Sequence, residues 1–427
     1  MAPFKSFAAF VAIISAAVFP GTVAQCPNLT PVSQPSLAQG YAAKLVMNGL
    51  KTPRGLIFDK LGNLLIAEQG GSGVRYVKLT DNGGVNVCVA SQKQLIPNGQ
   101  LTHGIALSAD GKTLYASSGT EVFAYPYDAA AGTVGQARSI INGMAQGGFH
   151  HTRTLLIPKT NPNILLVSRG SEDNLDVATA QIPSGRSQIR AFDLNKLTGG
   201  PVAYTTGEVF GWGLRNSVGV GENVDGGIWS VENSLDNMAR NGVDIHNDNP
   251  GEELNYHGIF NSSSNQYKGA NYGYPNCFAV WDTSKISGVP NVQVGSQVIQ
   301  GSPSGQITDQ YCQSTPVAPR LTFPAHLAPL DIKFHPNGRS AYISFHGSWN
   351  RQPPDGYRLS KVDFGANGQP TAPANSRTAE VKVMWNSNSA VCPNSCFRPV
   401  GLVWDGKGRL FMTSDTSNEL FVITVPA

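Results

Sequence analysis

The chain has 427 residues, of which 41% are hydrophobic and 14% charged, with a formal net charge of +3. That apolar content excludes wholesale disorder, and a small, dispersed charge with no run of Lys or Arg argues against a nucleic-acid partner. Forty-seven glycines and 28 prolines suit many short strands joined by turns better than a helical fold.

At the N-terminus, Lys5 precedes an apolar run from Phe7 to Phe19, and Thr22-Val23-Ala24 supplies small residues at a cleavage site. This pattern predicts a secretory signal over 1–24 and a single mature domain over 25–427. The run is too short to cross a bilayer and no other segment approaches 18 apolar residues, so no membrane association is expected. Secretion makes disulfides the natural reading of the six cysteines. Of the 15 possible pairings, sequence order favours Cys26–Cys88, Cys277–Cys312 and Cys392–Cys396. Two sequons, at Asn28 and Asn261, fit a glycosylated surface.

Six segments then follow one template: a polar residue, alternating apolar positions, a turn and a second strand. They run over 54–66, 103–115, 153–165, 216–229, 330–342 and 398–410. Period-2 alternation makes each half a strand, and tips such as Asp110-Gly111 and Asn337-Gly338 make the units hairpins. Six hairpins cannot each bury a face alone, and radial stacking solves that. The predicted fold is all-β: a six-bladed β-propeller with about four strands per blade. The long interval between 216 and 330 is expected to hold insertions.

The template's first position carries Arg54, His103, Arg153, Asn216, Leu330 and Arg398, which a propeller would gather around its axis. Arginines brought together repel unless an anion lies between them, and acidic partners are scarce in this composition. A pocket for a flat polyanion is the expectation. His150 and His151 precede the third inner strand and are candidates for a general base. After the fourth unit, Glu232 to Asn237, with Asp244, Asp248, Glu252 and Glu253, offers hard oxygen ligands suited to calcium, although no EF-hand loop is present.

Three motifs, 149–155 (Phe-His-His-Thr-Arg-Thr-Leu), 213–216 (Gly-Leu-Arg-Asn) and 345–351 (Phe-His-Gly-Ser-Trp-Asn-Arg), resemble signatures of pyrroloquinoline quinone (PQQ) dehydrogenases. The segment 396–401 resembles that family's last blade. The likeness extends from about Gly40 to the end and is strongest to secreted fungal pyranose dehydrogenases, of the soluble glucose and sorbosone dehydrogenase family. It implies oxidation of a sugar hydroxyl, with PQQ and Ca²⁺ as cofactors. His150 matches the catalytic base, with Arg215 orienting the sugar; His151 and His346 stay open as bases. Arg54, Arg215, Asn216, His346, Arg351 and Arg398, with His103 and Arg153 from the ring, would hold the cofactor or line its site. Metal ligands are expected at Ser234, Leu235 and Asp236. Larger relatives carry a haem domain, whereas this sequence ends with the propeller pattern. A separate secreted haem protein or a quinone is therefore expected as electron acceptor, for a monomeric enzyme. The rival readings are a calcium-dependent propeller lactonase, whose axial residues would be Glu, Asn and Asp, and a non-catalytic binding module with an apolar inner ring.

Overall fold

The computed structural model describes Met1, residues 25–145 and residues 148–426; the predicted signal segment lies outside them. Alternating apolar residues pair into six antiparallel sheets arranged around one axis. The first blade is a plain four-strand meander, Pro53–Phe58, Leu64–Glu68, Gly73–Asp81 and Val87–Ile96. The second follows the same order from Leu101–Leu107 outward to Arg138–Asn142, and the third from Leu155–Leu156 to Glu208–Trp212. The fourth begins with Ser217–Glu222, Gly227–Glu232 and Glu252–Ile259, and takes its outer strand, Leu321–Phe323, from beyond the insertion. The fifth starts at Pro329–Phe334 and the sixth at Pro399–Trp404. In the sixth, the outer strand Ala42–Met47 comes from the N-terminal end and pairs with Glu419–Thr424. Strands from the two ends of the chain thereby complete one blade and close the ring.

The core lies between blades. Among the described residues, six of the apolar clusters are each made by two neighbouring sheets. Leu65, Val74 and Leu114 join the first blade to the second. Trp229, Phe323, Ile343 and Phe345 join the fourth to the fifth. The other four interfaces are built alike. Each side chain fully buried there contributes roughly 1.5–3 kcal/mol, so closure of the circle supplies burial that no single blade could.

All three disulfides expected from sequence order are formed. Cys277–Cys312 sits in the insertion, where the hairpin Cys277–Ala279/Gln297–Ile299 packs beside the short helix Asp309–Ser314. Thr308 caps that helix by accepting from the Tyr311 amide. Among the described residues no helix is long and apolar enough to cross a membrane.

Candidate active site

Inner strands pack so closely that glycine marks their crossing points. A Cβ on Gly401 would lie 2.3 Å from the Arg54 carbonyl oxygen, one on Gly55 2.5 Å from that of His103, and one on Gly104 2.2 Å from that of Arg153. These contacts fix which residues are equivalent. The axial ring is Arg54, His103, Arg153, Val218, Leu330 and Val400, polar on one half and apolar on the other, where the last three pack together.

The sequence template placed Asn216 and Arg398 in this ring; both stand two residues earlier. Pairing starts at Pro53 in the first blade, Ser217 in the fourth and Pro399 in the sixth, and a period-2 pattern cannot detect an offset of two. Both residues stay at the mouth. Arg398 donates to the carbonyls of His346 and Gly347 at 3.0 and 2.8 Å. Asn216 Oδ1 faces Gly170, against which the Cβ of His150 also packs.

A second ring comes from the ends of the second strands. Pro53 pairs with Glu68, Ser217 with Glu232, Pro329 with Phe345 and Pro399 with Ser414. The next residues, Gln69, Asn233, His346 and Asp415, surround the mouth, with Ser171 in the third blade. The sequence reading found His346 among these, and Asn233 only as part of the oxygen-rich segment. A regular offset from the template's second strand was the available signal.

Each histidine is held differently. His150 Nδ1 lies 3.0 Å from the Ser171 carbonyl and 2.9 Å from its hydroxyl. A carbonyl only accepts, so Nδ1 carries the proton and Nε2 keeps its lone pair. Ser171 Oγ donates onward to the Asp173 carbonyl at 2.7 Å. His151 Nε2 instead takes an N–H from Gln69 at 2.9 Å. His346 Nε2 donates to Asp415 at 2.8 Å. His103 is buried under the mouth and accepts from Arg54 Nε at 3.3 Å. It lines a cavity of about 180 Å³ that runs down the axis past Asp331 and Lys333.

Low charge density argued against local ion pairs, yet three of the arginines have one. Arg54 Nη1 meets Asp415 at 2.8 Å, Arg215 Nη2 meets Asp236 at 2.8 Å and Arg351 meets Asp248 at 3.4 Å. Arg351 also donates to the Asn247 carbonyl, so it ties loops together beyond the ring. Arg153 is spent on the backbone carbonyls of Ala145, His150 and Thr152. Through these bonds it braces the turn that carries His150, while its Nε has no partner among the described residues. Arg398 makes no ion pair among the described residues.

The field at the mouth is positive. Burial first and Arg215 second lower His150 to about 3, against the opposing effect of its hydrogen bond to the Ser171 carbonyl. His151 is lowered by burial and then by Arg153 and Arg54. His346 is lowered by burial, which outweighs Asp415, with Arg398 and Arg54 adding to the effect. Burial would raise Asp415, but His346, Arg54 and Arg398 hold it well below the usual carboxylate range. A site of this kind favours a flat anion and keeps its imidazoles neutral.

The acidic segment is a surface turn only in part, since Asp244 is exposed. Glu232, Glu252 and Glu253 are buried. Ser217 Oγ and the Asn216 amide serve Glu232, and the amides of Ser234 and Ala328 serve Glu252. Burial raises Glu252 and Glu253 to about 7. Asp236, expected as a metal ligand, gives its carboxylate to Arg215. The carbonyl oxygens of Ser234 and Leu235 accept no hydrogen bond among the described residues. No three His, Cys, Asp or Glu side chains converge as metal ligands among the described residues, so backbone carbonyls are the available hard donors.

Residues 35–426 match the TrAA12-like family model. The chain belongs to this family. A pyrroloquinoline quinone-dependent sugar dehydrogenase of Hypocrea jecorina is 46% identical over 394 residues, 91% of this chain and 89% of that one. A pyrroloquinoline quinone-dependent pyranose dehydrogenase of Coprinopsis cinerea is 41% identical over 421 residues, 94% of this chain but 56% of that protein. A solved holo form of the pyranose dehydrogenase PQQ domain from Coprinopsis cinerea superposes with a TM-score of 0.88, covering 94% of this chain and 99% of that one. A calcium structure of the Trichoderma reesei family AA12 protein superposes with a TM-score of 0.91 at 46% identity, covering 94% and 99%. The family resemblance and the fold read from the sequence are thus both borne out.

Proposed function

We propose that this TrAA12-like chain is a PQQ- and Ca²⁺-dependent sugar dehydrogenase. It oxidises a hydroxyl of a pyranose or ketoaldose and passes the electrons to an external secreted haem protein or quinone. The observation that carries the reading is His150: an imidazole kept neutral in a positive ring, with its proton fixed on Nδ1 and its Nε2 lone pair uncommitted. The names of the relatives supply the cofactor and the substrate class.

The residues present fit both groups. Arg398 is without a counter-ion among the described residues, Arg54 has Nη2 uncommitted beyond Asp415 and His103, and Asn216 offers a side-chain amide with no hydrogen-bond partner among the described residues. With Arg215 and His346 they would hold the carboxylates and quinone oxygens of PQQ. The free carbonyls of Ser234 and Leu235 would hold calcium. Bound there, PQQ supplies a hydride-accepting ortho-quinone and Ca²⁺ the Lewis acid that polarises it.

The chain's own work is proton handling and orientation. His150 Nε2 accepts the proton of the sugar hydroxyl. Ser171 holds the ring by Nδ1, and Arg153 braces the turn through the His150 and Thr152 carbonyls. Arg215 is pinned by Asn174 and Asp236 and keeps His150 neutral. His151 has its Nε2 lone pair taken by Gln69, which disfavours it as the base.

Three formed disulfides and exposed asparagines in both sequons support a secreted, glycosylated protein. The test is dye reduction driven by a panel of aldoses and ketoaldoses, in the presence of PQQ and Ca²⁺, on wild type and His150→Ala. Sugar-dependent reduction lost in the variant, with PQQ binding kept, is expected. Full activity in the variant would move the base to His346 or His151, and no activity with any sugar in wild type would overturn the function.

A further inference from the structure

The insertion builds a second, much larger concavity that the ring does not use. It has a volume of about 1040 Å³ and lies between the insertion and the fifth blade's loop at Ala374 and Asn375. None of the ring residues lines it. No Lys, Arg or His lines it either, and no aromatic side chain. Its one acid, Asp309, is held by Arg240 at 2.8 and 2.9 Å and by the Ile299 amide, so it brings no free charge.

Amide and hydroxyl side chains are interleaved along the wall with Gly, Pro, Val and Ala. On the rim, Asn375 Nδ2 donates to Gln293 Oε1 at 2.7 Å, linking the fifth blade to the insertion. On the floor, Gln297 is 1% exposed; its Nε2 donates to the Tyr272 carbonyl at 2.8 Å, while its Oε1 has no partner among the described residues. A buried amide oxygen left without a donor marks a place on the groove floor where a ligand O–H is wanted.

The lining selects a class. A charged ligand would meet no counter-charge. An apolar peptide side chain would find no aromatic-lined socket of the usual kind. A neutral, hydroxyl-rich chain would find groups that both donate and accept along its whole length. We propose that this groove is a saccharide-binding site, separate from the redox centre, which takes a short segment of a neutral oligosaccharide or polysaccharide. The volume exceeds that of a drug-sized pocket at the upper end and admits several pyranose units. The inference does not need the quinone reading, because the groove shares no residue with the ring.

The test is isothermal titration of the full chain with cellohexaose, xylohexaose and mannohexaose, without PQQ or Ca²⁺. A hyaluronan hexasaccharide serves as the anionic control. Two groove-filling variants, Ser296→Trp and Gln313→Trp, carry side chains at half-exposed and exposed positions, where folding should survive. The expected result is binding of at least one neutral hexasaccharide, weakened about tenfold or more in both variants, with monosaccharide-driven dye reduction unchanged. Three results would overturn the proposal: no binding of any neutral hexasaccharide, preferential binding of the anionic one, or binding undiminished in both variants. If wild type binds hexasaccharide yet reduces no dye with any sugar, the groove stands and the dehydrogenase reading fails.

Discussion

Replacing Asp415 with Asn is the sharpest perturbation of the ring, because one carboxylate serves two partners. Its oxygens meet Arg54 Nη1 and His346 Nε2, both at 2.8 Å, and the Arg54 and Asp415 side chains are each only 9% exposed. Asn keeps the shape and removes the charge. Arg54 is then left buried without its counter-ion, and His346 loses the acceptor that favours its proton. Breaking a buried pair from one side costs about 3–5 kcal/mol. With an unfolding entropy of about 2.1 cal/mol/K per residue over roughly 400 residues, this amounts to a fall in Tm of roughly 4–6 °C. Scanning calorimetry of apo wild type and Asp415→Asn reads it directly. Saturating PQQ with Ca²⁺ should narrow the gap, since an anion then sits near the uncompensated arginines. A Tm within about 1 °C of wild type, or a gap unchanged by PQQ, would refute the electrostatic account of the mouth.

Other outcomes follow from the same geometry. His150 is lowered to about 3 by burial first and Arg215 second. A base with a depressed pKa is lost only as pH falls through that value, so the acid limb of kcat/KM should lie well below pH 6.5. A limb near 6.5, seen by steady-state kinetics across pH, would point to an exposed histidine instead. Gly104→Ala forces a Cβ to within 2.2 Å of the Arg153 carbonyl; on the overpacking scale it should destabilise by about 1–3 kcal/mol or more, measured by denaturant unfolding. Removing Cys277–Cys312, with its sequence separation of 35, should cost about 4 kcal/mol by loop entropy. The insertion would then be cut first by protease, while an unaltered digestion pattern would contradict this.

Much of the architecture is legible in the amino-acid sequence, for a physical reason. Strand alternation and turn chemistry recur six times, and each recurrence is an independent observation of the same unit. The site is legible where a side chain belongs to the repeat itself, as with Arg54 and His103. It is not legible where one position depends on contacts between blades. The offset of Asn216 and Arg398 arises because a shift by two preserves every inward and outward side chain. Only the packing of Gly401 on Arg54 and of Gly55 on His103 resolves it. Asp415 and Ser171 escape notice because they are single polar residues after a strand, a common turn composition. Their significance comes from partners 361 and 21 residues away in sequence. The Glu232 to Glu253 segment reads as a stretch of oxygen ligands. Of its carboxylates, Glu232, Glu252 and Glu253 prove to be buried, and Glu252 holds the Ser234 amide.

The measurement that tests the central claim most directly is a titration of PQQ into metal-free protein, with and without Ca²⁺, followed by tryptophan quenching. The account predicts saturable binding that tightens when Ca²⁺ is present and weakens in Arg398→Ala, because that arginine faces the mouth with no ion pair among the described residues. No binding under either condition, or binding indifferent to both Ca²⁺ and Arg398, would contradict it.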